Sequence, residues 1–316
     1  MSGEAAARLG VVVLTYGSSG VHRELLDSLW REGVAEEQVL VVHNPAVPDE
    51  PDPELPAGVE LLRSERNGGY AGGMNQGLDR VAERGLGLVL LLTHDARLRP
   101  GALDALLRAA RSAPAYGVLG PALVLAGSGE PHSYGGVTRA SGTCTHRLAA
   151  PAVGADRVAS CDWVDGGTLL VRAAAIEAGE RFDERFWGYC EESDFCLRVE
   201  RAGYRIGVAV DAIAEQDPGG AKRPGPYSYL LTRNGAEYAR RAVGWRGPLA
   251  IEGRAVGYVA FALLRVLARL VRRRPGGVGE PWAVAVGTAR GALDFLRRRW
   301  GPPPSDLPGM GDLSNA

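Results

Sequence analysis

Three acids fall within four residues at Glu191, Glu192 and Asp194, in the run Phe186-Trp187-Gly188-Tyr189-Cys190-Glu191-Glu192-Ser193-Asp194-Phe195-Cys196-Leu197-Arg198. Carboxylates beside aromatics and beside one another hold protons more tightly than in water, which suits one of them to take a proton from a hydroxyl. The same acids also suit a helix N-terminus, with Asp194 and Arg198 as an i,i+4 pair. Asp95 follows Thr93 and His94 at the end of the apolar run 86–92. There a carboxylate can hold Mg2+ or Mn2+ against substrate oxygens, or simply cap the next turn. Residues 67–77 (Asn-Gly-Gly-Tyr-Ala-Gly-Gly-Met-Asn-Gln-Gly) carry five glycines in eleven positions. Such a backbone turns tightly and offers helix N–H groups to phosphate, and a close-packed strand-to-helix turn accounts for it equally well. The spacing is neither G-x-G-x-x-G nor a P-loop, which argues against NAD or ATP.

These groups act together only if the chain brings them together. Short apolar runs at 9–14, 39–42, 59–62 and 86–92 read as buried strands. Helical spacing occupies 21–30, 72–83 and 101–111, the last behind Pro100, a residue suited to a helix start. Alternating strands and helices predict a doubly wound, mostly parallel α/β sheet. Ligands then sit beyond the carboxyl ends of the strands, where Thr15, His43 and Asp95 fall. Residues 45–56 hold five prolines and form a loop. From 116 to 171 shorter strands alternate with Gly-rich turns, and Gly166-Gly167 precede a strand at 168–172. A helix is expected over 192–202, a flexible loop over 214–226, and helices over 227–241, 249–273 and 280–300.

The 316 residues are 46% apolar and 23% charged, so a packed globular chain is expected and disorder is not. The balance of 36 Lys+Arg against 37 Asp+Glu gives no case for nucleic acid. That balance is a cancellation: 245–316 hold 11 Arg against 5 acids, and the remainder is acidic. Cys144, Cys161, Cys190 and Cys196 form no C-x-x-C, and residues 1–8 lack a signal-peptide core. Free thiols in a cytoplasmic protein are expected. No apolar run reaches the ~20 residues of a membrane span.

In order and spacing, V-V-V-L-T-Y, the glycine cluster, L-L-T-H-D-A-R-L-R-P, D-G-G-T-L-L-V-R, F-D-E-R-F-W-G-Y-C-E-E-S-D-F-C-L-R and Y-L-L-T-R-N resemble family 2 glycosyltransferases, most closely the bacterial rhamnosyltransferase-like branch. The resemblance covers about 9–240 and implies a GT-A fold. It implies a donor half over about 9–120, an acceptor and catalytic half over 121–244, and a helical extension over 245–316. It also implies inverting transfer of a sugar from a nucleoside diphosphate, UDP or dTDP, to a hydroxyl of an envelope glycan, a lipid-linked sugar or a secondary metabolite. Glu192 would be the base, with Glu191 and Asp194 beside it. Thr15, Tyr16, His43, Asn44, Asn67, Gly68, Asn75, Gly166 and Gly167 would line the donor side, with Asp95 holding the metal. Asp165, Trp187 and Tyr189 would meet the acceptor, and Lys222, Arg223 and Arg233 the diphosphate.

Three positions depart from that pattern. His43-Asn44 stand where many relatives carry Asp, Thr93 replaces the first acid of the metal motif, and Gln216 replaces a loop histidine. Weak metal binding follows, with His94, Glu215 or Asp217 as substitutes. Otherwise Lys222 and Arg223 close over the diphosphate, or serve only as solvated loop charge. The same departures motivate the rival reading, a GT-A domain that binds nucleotide or glycan without turnover. A nucleotidyltransferase is disfavoured because Thr15-Tyr16-Gly17 is not a basic phosphate loop.

Within 249–274, the apolar stretch 255–271 is interrupted by Arg265 and Arg269 and followed by Arg272-Arg273-Arg274. That pattern fits a helix lying on an anionic membrane surface, and equally one packed on the catalytic domain or on a second copy in a homodimer.

Overall fold

The computed structural model describes residues 9–17, 23–47, 49–217, 223–271 and 279–310. Lys222 and Arg272-Arg273-Arg274 lie outside the described residues.

The first strand, β1 (Leu9–Tyr16), is apolar as far as Leu14 and has a parallel partner on each side. Those partners are β2 (Val39–Asn44) and β4 (Leu88–Thr93), and β3 (Glu60–Arg63) continues the parallel run beyond β2. A strand covered on both faces has no polar side, which is why these runs do not alternate. Side chains still divide by parity. Val11, Val13, Val39, Val41, Leu90 and Leu92 face one layer, and Val12, Leu14, Leu40, Val42, Val89 and Leu91 the other.

The first layer holds α1 (Arg23–Arg31) and α3 (Ala102–Ser112). The second holds α2 (Gly69–Ala82), α4 (Ala173–Ala178) and α5 (Glu191–Arg201). α3 starts one residue later than expected. Gly101 takes φ +83°, and the Glu32 carboxylate accepts hydrogen bonds from the Gly101 and Leu103 N–H groups.

Past β4 the sheet becomes mixed. β5 (Ala96–Leu98), β6 (Tyr116–Leu125) and β7 (Pro131–Ser133) come next, then the hairpin of β8 (Gly136–Thr138) and β9 (Cys144–His146). β10 (Val158–Ser160), β11 (Thr168–Arg172) and β12 (Arg205–Gln216) complete the strands. The order is β10-β12-β6-β11-β4-β1-β2-β3, with β11 antiparallel to both β4 and β6. Residues 214–216, expected in a loop, are the end of β12, where Gln216 pairs with Ala96.

The chain ends in α6 (Pro224–Val243), α7 (Arg246–Val271) and α8 (Gly279–Leu296). α8 lies backbone-close on α6: a Cβ on Gly287 would stand 2.2 Å from the Gly225 oxygen, and one on Gly291 2.4 Å from that of Tyr229. The Tyr229 hydroxyl donates to Asp294. All four cysteines are free thiols, and burial pushes Cys144 and Cys161 up to about 12. Among the described residues no helix is long and apolar enough to cross a membrane.

Candidate active site

The segment leading into α5 is held in a conformation L-residues seldom adopt. Trp187, Tyr189 and Cys190 have φ of 62°, 65° and 69°. Such residues cost roughly 1–3 kcal/mol each and persist only where the surroundings enforce them. Here the enforcing groups come from α6. The Asn234 amide donates to the carbonyls of Phe186, Gly188 and Tyr189 at 2.7, 2.7 and 3.0 Å. Arg233, wholly buried, reaches the Phe186 carbonyl and the Tyr229 hydroxyl. Arg233 therefore supports this turn from behind rather than lining an open donor cleft.

The turn delivers Glu191 and Glu192 into a recess beneath Tyr70, whose hydroxyl donates to the Gly166 carbonyl at 2.7 Å. Glu191 is 4% exposed, and its Oε2 has no hydrogen-bond partner. Burial pushes Glu192 up to about 7, with the charge of Asp165 adding to the rise. Glu191 is raised well above the carboxylate range by burial and by the charge of Glu192. Tyr70 responds to the same pair: burial, then Glu191 and Glu192, raise its phenol.

Asp194 points elsewhere. Wholly buried, it is bonded to Arg198 at 2.8 Å and Arg241 at 2.7 Å, so it anchors α5 to α6 instead of facing the recess. Asn75 is likewise turned inward, pairing with both backbone groups of Phe182 and with Glu184.

The sequence 165–167 joins the two halves of the site. A Cβ on Gly166 would stand 3.2 Å from the Tyr70 ring, and one on Gly167 3.0 Å from the Gln216 amide. The Gly167 carbonyl accepts from the Thr93 N–H. Thr93 and Gln216, two of the departures noted above, flank Asp95: the Thr93 hydroxyl donates to one carboxylate oxygen, and the Gln216 amide lies 3.4 Å from the other. Two of the named substitute ligands are engaged elsewhere, Glu215 by Arg99 and Asp217 by Arg97. The donor set thus fits a hard divalent ion through Asp95 and the oxygen-bearing Gln216 amide, with substrate and water completing the shell.

On the nucleotide side, Thr15 faces His43 across β1 and β2 at 3.0 Å, and Tyr16 pairs with Asn44. Burial lowers the His43 imidazole, which favours its neutral form. Asn44 donates to the Gly69 carbonyl, and Asn67 accepts from the Gly69 N–H. Burial raises the Tyr16 phenol against a lowering by Arg223, which puts Arg223 beside the same wall.

α2 begins at Gly69, three residues before the expected start, and its glycines serve packing. A Cβ on Gly73 would meet Leu14 at 2.4 Å, and one on Gly77 would meet Val12 at 2.4 Å. The Ala71 N–H in its first turn already donates to the Trp187 carbonyl. Trp187 packs on Gly69, while Tyr189 is 38% exposed and meets Tyr227 edge-on at 5.0 Å. The resemblance had already matched Asn234 to the Arg-Asn pair that follows the family's active-site loop, whereas Tyr70 and Arg241 are contributors that the sequence did not single out. Tyr70 lay inside the glycine cluster, and Arg241 carried no local signal at all.

No protein-family model matches the chain. It is 28% identical over 269 residues to an N-acetylglucosaminyl-diphospho-decaprenol L-rhamnosyltransferase of Mycobacterium tuberculosis, covering 76% of this chain and 87% of that one. Staphylococcus aureus TarS 1–349 superposes with a TM-score of 0.51 at 15% identity, covering 92% of both chains. The mannosyltransferase PcManGT of Pyrobaculum calidifontis, solved with GDP-Man and Mn2+, gives 0.50 at 13% identity, covering 92% of this chain and 88% of that one. At such identities the likeness to the solved structures is one of fold.

Proposed function

We propose that this chain, a rhamnosyltransferase-like glycosyltransferase with the GT-A fold, transfers a sugar from a UDP or dTDP donor to a lipid-linked sugar hydroxyl by single displacement with inversion. The observation that carries this reading is Glu192: a half-buried carboxylate, raised to about 7, close enough to Tyr70 and Asp165 for their charges to act on one another. A base with that affinity is about half ionised at neutral pH and strong enough to take a hydroxyl proton in the transition state.

In the step proposed, Glu192 accepts the acceptor O–H proton as that oxygen bonds to the anomeric carbon. The carbon–oxygen bond to the diphosphate breaks on the opposite face, and its electron pair leaves with the diphosphate. Arg223 would stand near the departing charge, and a metal bound at Asp95 would offset part of it. The Asp165-Gly166-Gly167 backbone would hold the reacting sugar between the two sides.

Glu192→Gln tests this assignment. The expected loss is about 10²–10⁴-fold in kcat with donor binding retained; unaltered turnover would remove Glu192 as base. In the parent protein, kcat should rise with pH through about 7, because only the ionised carboxylate accepts the proton.

The lipid-linked acceptor is taken from the mycobacterial relative's name and is supported by α7. Leu249, Val256, Leu263, Leu264, Leu267 and Val271 fall within an arc of about 100° on that helix, and Leu249, Val256 and Val271 are more than 70% exposed. Ala255 and Ala262 face inward on the other side. The exposed Arg246 stands at the edge of the stripe, at the same helical angle as Leu264, where anionic headgroups would complement it. Full-length protein should co-sediment with phosphatidylglycerol vesicles, and Val256→Glu with Leu267→Glu should release it. A dimer in solution that ignores vesicles would replace the membrane reading.

A further inference from the structure

We infer that His132, His146 and Asp165 form a second divalent-cation site, of the imidazole-containing kind that takes Zn2+ or another late first-row ion. One ligand atom from each of the three lies within 4.8 Å of the other two. His146 Nδ1 is 3.3 Å from Asp165 Oδ1, and the two imidazole rings are 5.4 Å apart. The ligands come from three segments: β7, β9 and the stretch before β11.

Packing holds those segments in register. The Gly136 N–H donates to the Trp163 carbonyl at 2.8 Å, and the Asp162 N–H returns a bond to Gly136. Tyr134 and Gly135 are tied to Arg147 by two bonds of 2.8 Å. The His146 ring stands edge-on to the Trp163 indole at 4.9 Å, and its Nδ1 lies 3.2 Å from the buried Ser133 hydroxyl. Only glycine fits at 136, where a Cβ would lie 1.9 Å from the indole. These contacts fix the orientation of the His146 ring, and an ion taken up through Nδ1 would replace the Ser133 contact.

Two imidazoles and one carboxylate suit Zn2+, Co2+ or Ni2+ rather than Mg2+, and three protein ligands leave a position open. The His146 side chain is 39% exposed and that of Asp165 13%, so an ion can enter and keep water or a ligand. The site differs in chemistry from the turn at Asp95, where the groups that touch the carboxylate are the Thr93 hydroxyl and the Gln216 amide and no imidazole is bonded to it. On the reading of Glu192 as base, Asp165 lies on the acceptor side, and the open position suits an oxygen of the acceptor.

Calorimetric titration of the EDTA-treated, dialysed full-length protein with ZnCl2 tests the site without reference to turnover. One Zn2+ per chain is expected in the parent and in Asp95→Asn, with affinity falling at least about tenfold in His132→Ala and in His146→Ala. Circular dichroism and metal-free thermal midpoints establish that each variant is folded. No heat of binding in the parent, or equal affinity in folded His146→Ala, would overturn the site. So would binding abolished by Cys144→Ser, since the ion would then sit on a thiol.

Discussion

Two groups of carboxylates meet at the amino end of α5 and reach opposite states. Asp194 is wholly buried with Arg198 and Arg241 on its oxygens, and Arg241 also binds Asp183 and Glu237. Burial alone would raise Asp183, but hydrogen bonds from Arg185 and Arg241 more than offset it and hold its carboxyl below the ordinary range. Glu237 is held low in the same way, with bonds from Arg240 and Arg241 prevailing over burial. Glu191 and Glu192 form no ion pair among the described residues, and burial raises both. Asp183 and Glu237 thus hold protons less tightly than Glu191 and Glu192, because the first two receive guanidinium groups and the second two do not. The paired acids fasten the recess, and the unpaired ones stay available for proton transfer.

Removing the shared cation breaks the comparison most severely. Arg241→Met leaves Asp183 and Glu237 short of a partner and buries Asp194 against Arg198 alone. A loss of about 3–5 kcal/mol is expected by urea unfolding. A loss below about 1 kcal/mol would mean that the cluster does not fasten α5 to α6.

Asn234→Ala tests the turn between the two groups. With three carbonyl contacts gone, about 1–3 kcal/mol of stability should be lost. Turnover should fall toward 10²-fold as Glu192 shifts from its position. If stability fell and turnover did not, the strained turn would not be what positions the base.

The smallest effect should carry the opposite sign. An acid whose folded pKa is raised above its unfolded value of about 4.3 binds more protons when folded. It therefore destabilises the fold increasingly as pH climbs from there toward the folded value. Glu191→Gln removes that penalty, so the melting temperature should rise by roughly 2–4 °C at pH 8 and hardly change at pH 4. An equal gain at both pH values would mean that Glu191 carries no burial penalty.

The elements were legible where burial repeats along the chain. The apolar runs at 9–14, 39–42 and 86–92 became β1, β2 and β4, and the strand at 168–172 was placed to the residue. The start of α2 was misplaced because Gly69 looks like a loop residue, and its fit against Trp187 and Asn44 is visible only in the fold. The acid cluster was legible as a group, but its division was not. Asp194 as an i,i+4 partner of Arg198 could be read locally, whereas its bond to Arg241 spans 47 positions. Arg233 was expected at the diphosphate because the family resemblance implied it, and its burial behind the turn depends on how α6 crosses the segment 185–186.

Composition, apolar period and motif order were enough to determine a doubly wound sheet, a carboxylate at the end of β4 and an acid-rich helix start, since each is written in residues close together. Which acid keeps its proton, which arginine supports rather than binds, and that His132 and His146 meet Asp165 were decided only by tertiary structure. Those outcomes depend on burial and on charges brought from distant segments, and an electrostatic neighbour exists only once the chain has folded.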